Sequence, residues 1–195
     1  MTLIDGHEYF LLRDYDKGKY HNLTFEGKVT YIRKRVEFIL LNPCKSAMPN
    51  TATSDLGLVL TTAICAGISA ASTFLNGKKR AGPGEDKKYF LAFIKRYMNP
   101  NLQKLISGGT VTWAKWLYTD LRCGLSHSFT IHTGGVEESA HYLQVTKHGP
   151  EICPSLLLAD FEAGWIQYLR DVEADGPTKP LGKSFQDCFD EVFHD

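Results

Sequence analysis

An arginine and a histidine stand five residues apart in the run Trp113-Ala-Lys-Trp-Leu-Tyr-Thr-Asp-Leu-Arg122-Cys-Gly-Leu-Ser-His127. Histidine exchanges protons close to neutral pH, with an unperturbed pKa of about 6.5. Arginine offers a planar, permanently charged fork that matches the oxygens of a phosphate. A proton-transfer group beside a fixed cation suits chemistry at a phosphorus centre, and it requires neither a metal nor a nucleophilic side chain.

Such a pair must be held by helix. Trp113, Trp116, Leu117, Leu121 and Leu125 recur at helical spacing, with Thr110 placed to cap the helix after the turn at Ser107-Gly-Gly109. Residues five apart on a regular helix point roughly 140° away from each other. Arg122 and His127 therefore share a site only if Gly124 ends or loosens the helix, or if a second chain closes the cleft.

The surrounding periodicity is also helical. Phe25, Val29, Ile32, Val36, Ile39 and Leu40 form one apolar stripe. Lys28, Arg33, Lys34 and Arg35 lie off that stripe as a solvated face, and Pro43 stops the helix. Ser54-Asp55 precedes a second helix reaching about Leu75. That stretch is uncharged and long enough to span a bilayer, but its threonines, serines and glycines mark it as a buried central helix.

A charged loop from Lys78 to Lys88 leads to a third helix ending at Asn99-Pro100. Two short strands follow His127, at Phe129–Thr133 and His141–Thr146, with a third at Glu151–Cys153. Helix resumes near Ser155, stops at Gly176-Pro177, and is followed by a last amphipathic piece. Residues 1–22 read as an irregular arm with one short helix at most. The expected architecture is all-α: a bundle of about five to six helices with a small β-hairpin insertion after the Arg–His helix, in a single domain over 1–195.

The segment Leu117-Tyr118-x-x-Leu121-Arg122-x-x-x-x-His127-Ser128 resembles the signature of the HEPN superfamily, an Arg followed four to six residues later by His near a helix end. The resemblance covers about a dozen residues and agrees with the helical surroundings. It implies a metal-independent endoribonuclease acting as a homodimer, with Arg and His of both copies lining one cleft, and many such proteins are toxins or anti-phage effectors. On that reading Arg122 clamps the phosphate and His127 moves the proton. Tyr118, Asp120, Cys123 and Ser126 support them. No cofactor or metal is implied; the expected partners are RNA or nucleotide, a second copy of the chain and an antitoxin protein.

The family commonly has Asn or Asp after the Arg. Here Cys123 stands there and hydrogen-bonds only weakly, which keeps open a non-catalytic domain that binds a nucleotide or a partner. A third reading is a structural dimerisation module with the Trp-bearing helix as its face. Cys123 and His127, four apart, would also suit a thiol nucleophile and its base. A lone Cys beside a Gly is more often a packing residue. The spacing of His127, His132, His141 and His148 fits no metal-ligand pattern.

The bulk numbers bound these readings. The chain has 195 residues, with 22 Lys and Arg against 22 Asp and Glu, so long nucleic acid is not held by net charge. Five widely spaced cysteines without a C-x-x-C motif point away from a disulfide framework and towards a reducing cytoplasm. The start, Met-Thr-Leu-Ile-Asp-Gly-His-Glu, lacks the pattern of a secretory signal.

Overall fold

The computed structural model describes residues 2–4, 7–9, 23–49, 56–124, 131 and 133–193. In chain order the elements are β1 (Thr2–Ile4), β2 (His7–Tyr9), α1 (Phe25–Val36), α2 (Asn42–Ala47), α3 (Leu56–Asn76), α4 (Asp86–Tyr97), α5 (Trp113–Trp116), β3 (Gly135–Val136), β4 (Leu143–Thr146), β5 (Gly149–Ile152), α6 (Pro154–Asp175) and α7 (Pro180–Phe193). Two π-helical turns, Glu37–Leu41 and Leu117–Cys123, join α1 to α2 and extend α5. The described residues thus form six helical rods, a three-stranded sheet and a two-stranded one, a mostly helical fold.

Thr24 opens α1 by accepting a hydrogen bond from Gly27 N at 3.1 Å. Pro43 does not end the rod, contrary to expectation. In a regular helix its ring would strike the carbonyl four residues back, and that carbonyl would lose its donor. The wide turn at Glu37–Leu41 loops out an extra residue just before it. The chain then carries helical dihedrals through Leu41 and Asn42 into α2.

Of the basic residues of α1, Lys34 is exposed as expected, but the other three are engaged by neighbouring helices. Lys28 is buried and pairs with Asp190 of α7, Arg33 bonds Glu173 of α6 at 2.7 Å, and Arg35 lies over the Phe193 ring. The neighbouring helices thus partly cover this side of α1.

Helix α3 is the central rod. Only Val59, Ala66 and Ala70 are exposed along it, and it packs against α4, α6, α7 and the turn Leu117–Cys123. Its length and composition would allow a membrane span, yet here it is the middle of the core. The expected cap Ser54-Asp55 lies outside the described residues. Around α3, Phe74, Phe93, Phe161, Trp165, Tyr168, Phe185 and Phe189 pack largely edge-to-face or tilted, the geometry that aromatic quadrupoles favour.

The insertion is a three-stranded sheet rather than a hairpin. Its order is β3-β5-β4, with β3 parallel to β5 and β4 antiparallel to it. The expected strand at Phe129–Thr133 falls partly outside the described residues, and Ile131 and Thr133 belong to no strand. Pairing happens at Gly135–Val136 because the approach of the chains is tight: a Cβ on Gly134 would overlap the carbonyl of Pro150. At the other strand the Ser139 hydroxyl accepts from His141 N at 2.9 Å, which keeps His141 out of the ladder. In the arm, β1 and β2 pair antiparallel with Ile4 opposite His7. The reading of the arm as irregular, with one short helix at most, misses this pair of strands.

One substitution should act with opposite signs at two glycines. A Cβ on Gly164 of α6 would stand 2.6 Å from the carbonyl oxygen of Tyr97, whereas on Gly27 it meets only side-chain atoms at ordinary distance, 3.4 Å and beyond. Gly164→Ala should cost roughly 1–3 kcal/mol, several degrees of Tm for a chain of this size. Gly27→Ala should gain up to about 1 kcal/mol. Thermal unfolding of both variants checks this, and an unchanged Tm for Gly164→Ala would contradict the packing of α6 on the end of α4.

Candidate functional site

The Arg-bearing rod is fixed at its start. Leu105 and Thr112 pair across the turn at Ser107-Gly-Gly, and Trp113 N donates to Lys104 O at 3.1 Å. The cap is Thr112, not Thr110: the Thr112 hydroxyl accepts from Lys115 N at 3.3 Å, two residues later than the sequence suggests. Trp113 and Trp116 are buried in this chain's own core, so the Trp face is not a free dimer surface. Trp116 Nε1 donates to Thr133 O at 3.0 Å, which ties the chain returning from the 125–132 stretch back onto this rod.

The rod then widens. The Thr119 hydroxyl lies 2.9 Å from Lys115 O, the carbonyl its own amide would use in a regular helix. Such back-bonding loosens the α ladder, and from Leu117 to Cys123 the bonding is of the i→i+5 kind. In a turn of that width, residues five apart stack along one face instead of splaying. Tyr118 and Cys123 are five apart, and Arg122 contacts both, the Tyr118 ring and the Cys123 sulfur.

Arg122 is half-buried on this face. Its guanidinium carbon lies 5.6 Å from the centre of the Tyr118 ring, and its Nη1 is 4.0 Å from Cys123 Sγ. Among the described residues no carboxylate pairs with it. Asp120, the nearest acidic residue in sequence, is turned to the Thr119 hydroxyl at 2.8 Å and the Thr133 hydroxyl at 3.4 Å. Asp120 therefore holds the rod to the following segment instead of orienting the guanidinium.

Tyr118 is also contacted by α4. Phe90 meets its ring edge-on at 5.3 Å, and Lys87 Nζ lies 5.9 Å from the ring centre. Burial pushes the Tyr118 hydroxyl above its ordinary pKa, with the neighbouring Cys123 adding and Arg122 opposing. Behind them, burial drives the Cys65 thiol of α3 up to about 12, again with Arg122 opposing.

The site residues read from sequence are thus brought together in part. Tyr118, Arg122 and Cys123 share one face, and Asp120 faces away to Thr133. His127 and Ser126 lie outside the described residues. Gly124 does not break the rod at its own position, where φ is −58° and ψ −52°; the widened turn before it changes the register of side chains instead. Lys87 and Phe90 are additions from α4. Phe90 stands out in sequence only as an apolar helix member, and Lys87 only as one of several charges in a loop-to-helix junction, so neither carries a motif.

Other polar clusters have structural roles. Glu138 accepts from Ser155 N at 3.1 Å and from its hydroxyl at 2.7 Å, capping α6, with the buried Cys153 thiol 3.4 Å away. Asp160 accepts from Asn99 N and from the Tyr142 hydroxyl at 2.7 Å; burial raises its pKa and these two bonds oppose the rise. A pocket of about 210 Å³ between α2 and α6 is lined by none of Tyr118, Asp120, Arg122 or Cys123. No group of three or more His, Cys, Asp or Glu among the described residues is placed to hold a metal ion. No protein-family model matches the chain, and no curated protein or solved structure is significantly similar to it.

The cysteines should report this geometry. Cys44, Cys65, Cys153 and Cys188 are buried, burial raises the thiol pKa of Cys44, and Cys65 and Cys188 are pushed up to about 12. Cys123 alone of the five is half-buried. Iodoacetamide on native protein at pH 8 should label Cys123 first, followed by peptide mass spectrometry, and unfolding should release the other four. Fast native labelling of Cys65 or Cys188 would contradict the burial described.

Proposed function

We propose that the chain is a metal-independent endoribonuclease of HEPN type, acting as a cytoplasmic homodimer in the manner of a toxin or anti-phage effector. Arg122 is the phosphate clamp and His127 the proton-transfer group. Tyr118 and Cys123 hold the guanidinium, and Ser126 and Asp120 support the segment between. One observation carries the reading: a half-buried arginine in the widened turn of a helix, lying over a tyrosine ring, has no carboxylate partner among the described residues. Burying a cation costs free energy that a counter-charge offsets, and an anionic substrate supplies that charge.

The chemistry follows from the residue types. His127 takes the proton of a ribose 2′-OH, and that oxygen attacks the adjacent phosphorus. The bond to the 5′-oxygen breaks and a proton returns to it, leaving a 2′,3′-cyclic phosphate and a 5′-hydroxyl end. Arg122 stabilises the charge that builds on the non-bridging oxygens. The two-fold arrangement implied by the resemblance brings a second Arg and His to the same cleft.

A second reading keeps the binding and drops the cleavage. It is favoured by Cys123, whose thiol stands 4.0 Å from the guanidinium where an amide or carboxylate is common in the family. An antitoxin or another partner protein would then occupy or cover the site.

RNA cleavage in EDTA by wild type, Arg122→Ala, His127→Ala and Cys123→Asn separates these readings. Wild type should cut, and the first two variants should each lose about 100-fold or more. Cys123→Asn should cut at least as well as wild type. RNA binding without turnover in wild type selects the binding domain, and a wild type that neither binds nor cuts RNA refutes the site.

A further inference from the structure

We propose that Lys87, near the start of α4, is a second phosphate contact of the Arg122 site, so that Lys87 and Arg122 take neighbouring phosphates of one single-stranded RNA backbone. The inference rests on the reading of Arg122 as a phosphate clamp and adds a residue from a different helix to it.

Lys87 and Arg122 lie 5.9 Å and 5.6 Å from the centre of the same Tyr118 ring. Both are half-buried, and among the described residues neither is paired with a carboxylate. Two such cations around one ring repel each other without a counter-charge between them. The acidic residues nearby do not supply it. Glu85 is engaged by Gly82 N at 3.1 Å, by the Tyr89 hydroxyl at 3.1 Å and by Lys78 at 4.0 Å. Asp86, beside Lys87 in sequence, is exposed and makes no ion pair with either cation.

The ring itself limits the choice of ligand. Two cations and the edge of Phe90 surround Tyr118, so the ring holds cations in place and is not a platform for stacked bases. Recognition then falls on backbone phosphates and is independent of sequence. The chain as a whole is electrically neutral, so binding of a short anionic strand depends on local cations such as this pair.

The test is fluorescence anisotropy of a fluorescein-labelled single-stranded oligonucleotide with 2′-O-methyl riboses, which cannot be cleaved, over a salt series. Removing one phosphate-binding cation should lower the slope of log K against log salt by about 0.7 in magnitude. Lys87→Gln and Arg122→Gln should each do so, the double variant should show about twice the reduction, and Lys87→Arg should restore the wild-type slope. Lys183→Gln, in an ion pair with Asp187 on α7, should leave it unchanged. Circular dichroism confirms that the variants fold. A wild-type slope in Lys87→Gln with a reduced slope in Arg122→Gln overturns the role of Lys87 alone. A wild-type slope in Arg122→Gln overturns the clamp itself, and no binding by wild type overturns both.

Discussion

The i→i+5 turn from Leu117 to Cys123 decides which side chains share a face, and the candidate site depends on it. In a regular helix Tyr118 and Cys123 diverge, and Arg122 has the ring alone for company. In the wider turn the ring, the guanidinium and the thiol converge. Two sets of contacts hold the first half of the turn. Thr119 competes for Lys115 O on one side, and Trp116 and Asp120 bind the returning chain at Thr133 on the other. A π turn is a strained choice relative to the α ladder, and the buried Leu117 and Leu121 are the apolar anchors that hold it against the core.

That core is what allows a loosened rod to keep its place. Helix α3 runs through the middle, and α4, α6 and α7 pack around it with the aromatic layer between. The π turn leans on α3 from one side, and α4 reaches over it to set Tyr118 with Phe90. The site is therefore assembled from two rods that both register against a third. Changes in how α4 seats on α3 move Lys87 and Phe90 together, while Arg122 follows the wide turn. Positioning by packing of this kind is stiff, because protein interiors do not deform continuously.

Much of the architecture is legible from periodicity. The apolar spacing of α1, α3, α4, α6 and α7 depends on one buried stripe each, and the breaks at Asn99-Pro100 and Gly176 depend on backbone chemistry local to those residues. The illegible parts depend on contacts made elsewhere. Pro43 reads as a stop only if the turn before it is regular, and that turn is wide. Lys28 reads as solvated because nothing in α1 reveals that Asp190 comes to meet it. The strand at Gly135–Val136 has almost no pattern of its own and exists because Pro150 and Glu151 pass close by. At the site, the Arg and its aromatic neighbour are visible as a motif. The wide turn that joins them, and the contribution of α4, are not, since both arise from tertiary packing and one displaced hydrogen bond.

The residue after the arginine shows how the site trades orientation for charge. A guanidinium has five N–H donors and no acceptor. An aspartate beside it would satisfy two of them and cancel its charge; an asparagine would hold it by a single firm hydrogen bond. The Cys123 sulfur, 4.0 Å from Nη1, is a weak acceptor and leaves the donors available. The stack on Tyr118 then does most of the orienting, and it does so without neutralising the cation. An arginine held in this way keeps its full charge, and most of its donors have no partner among the described residues. It is well suited to capturing a phosphate, and it relies on the bound anion itself for the last increment of orientation.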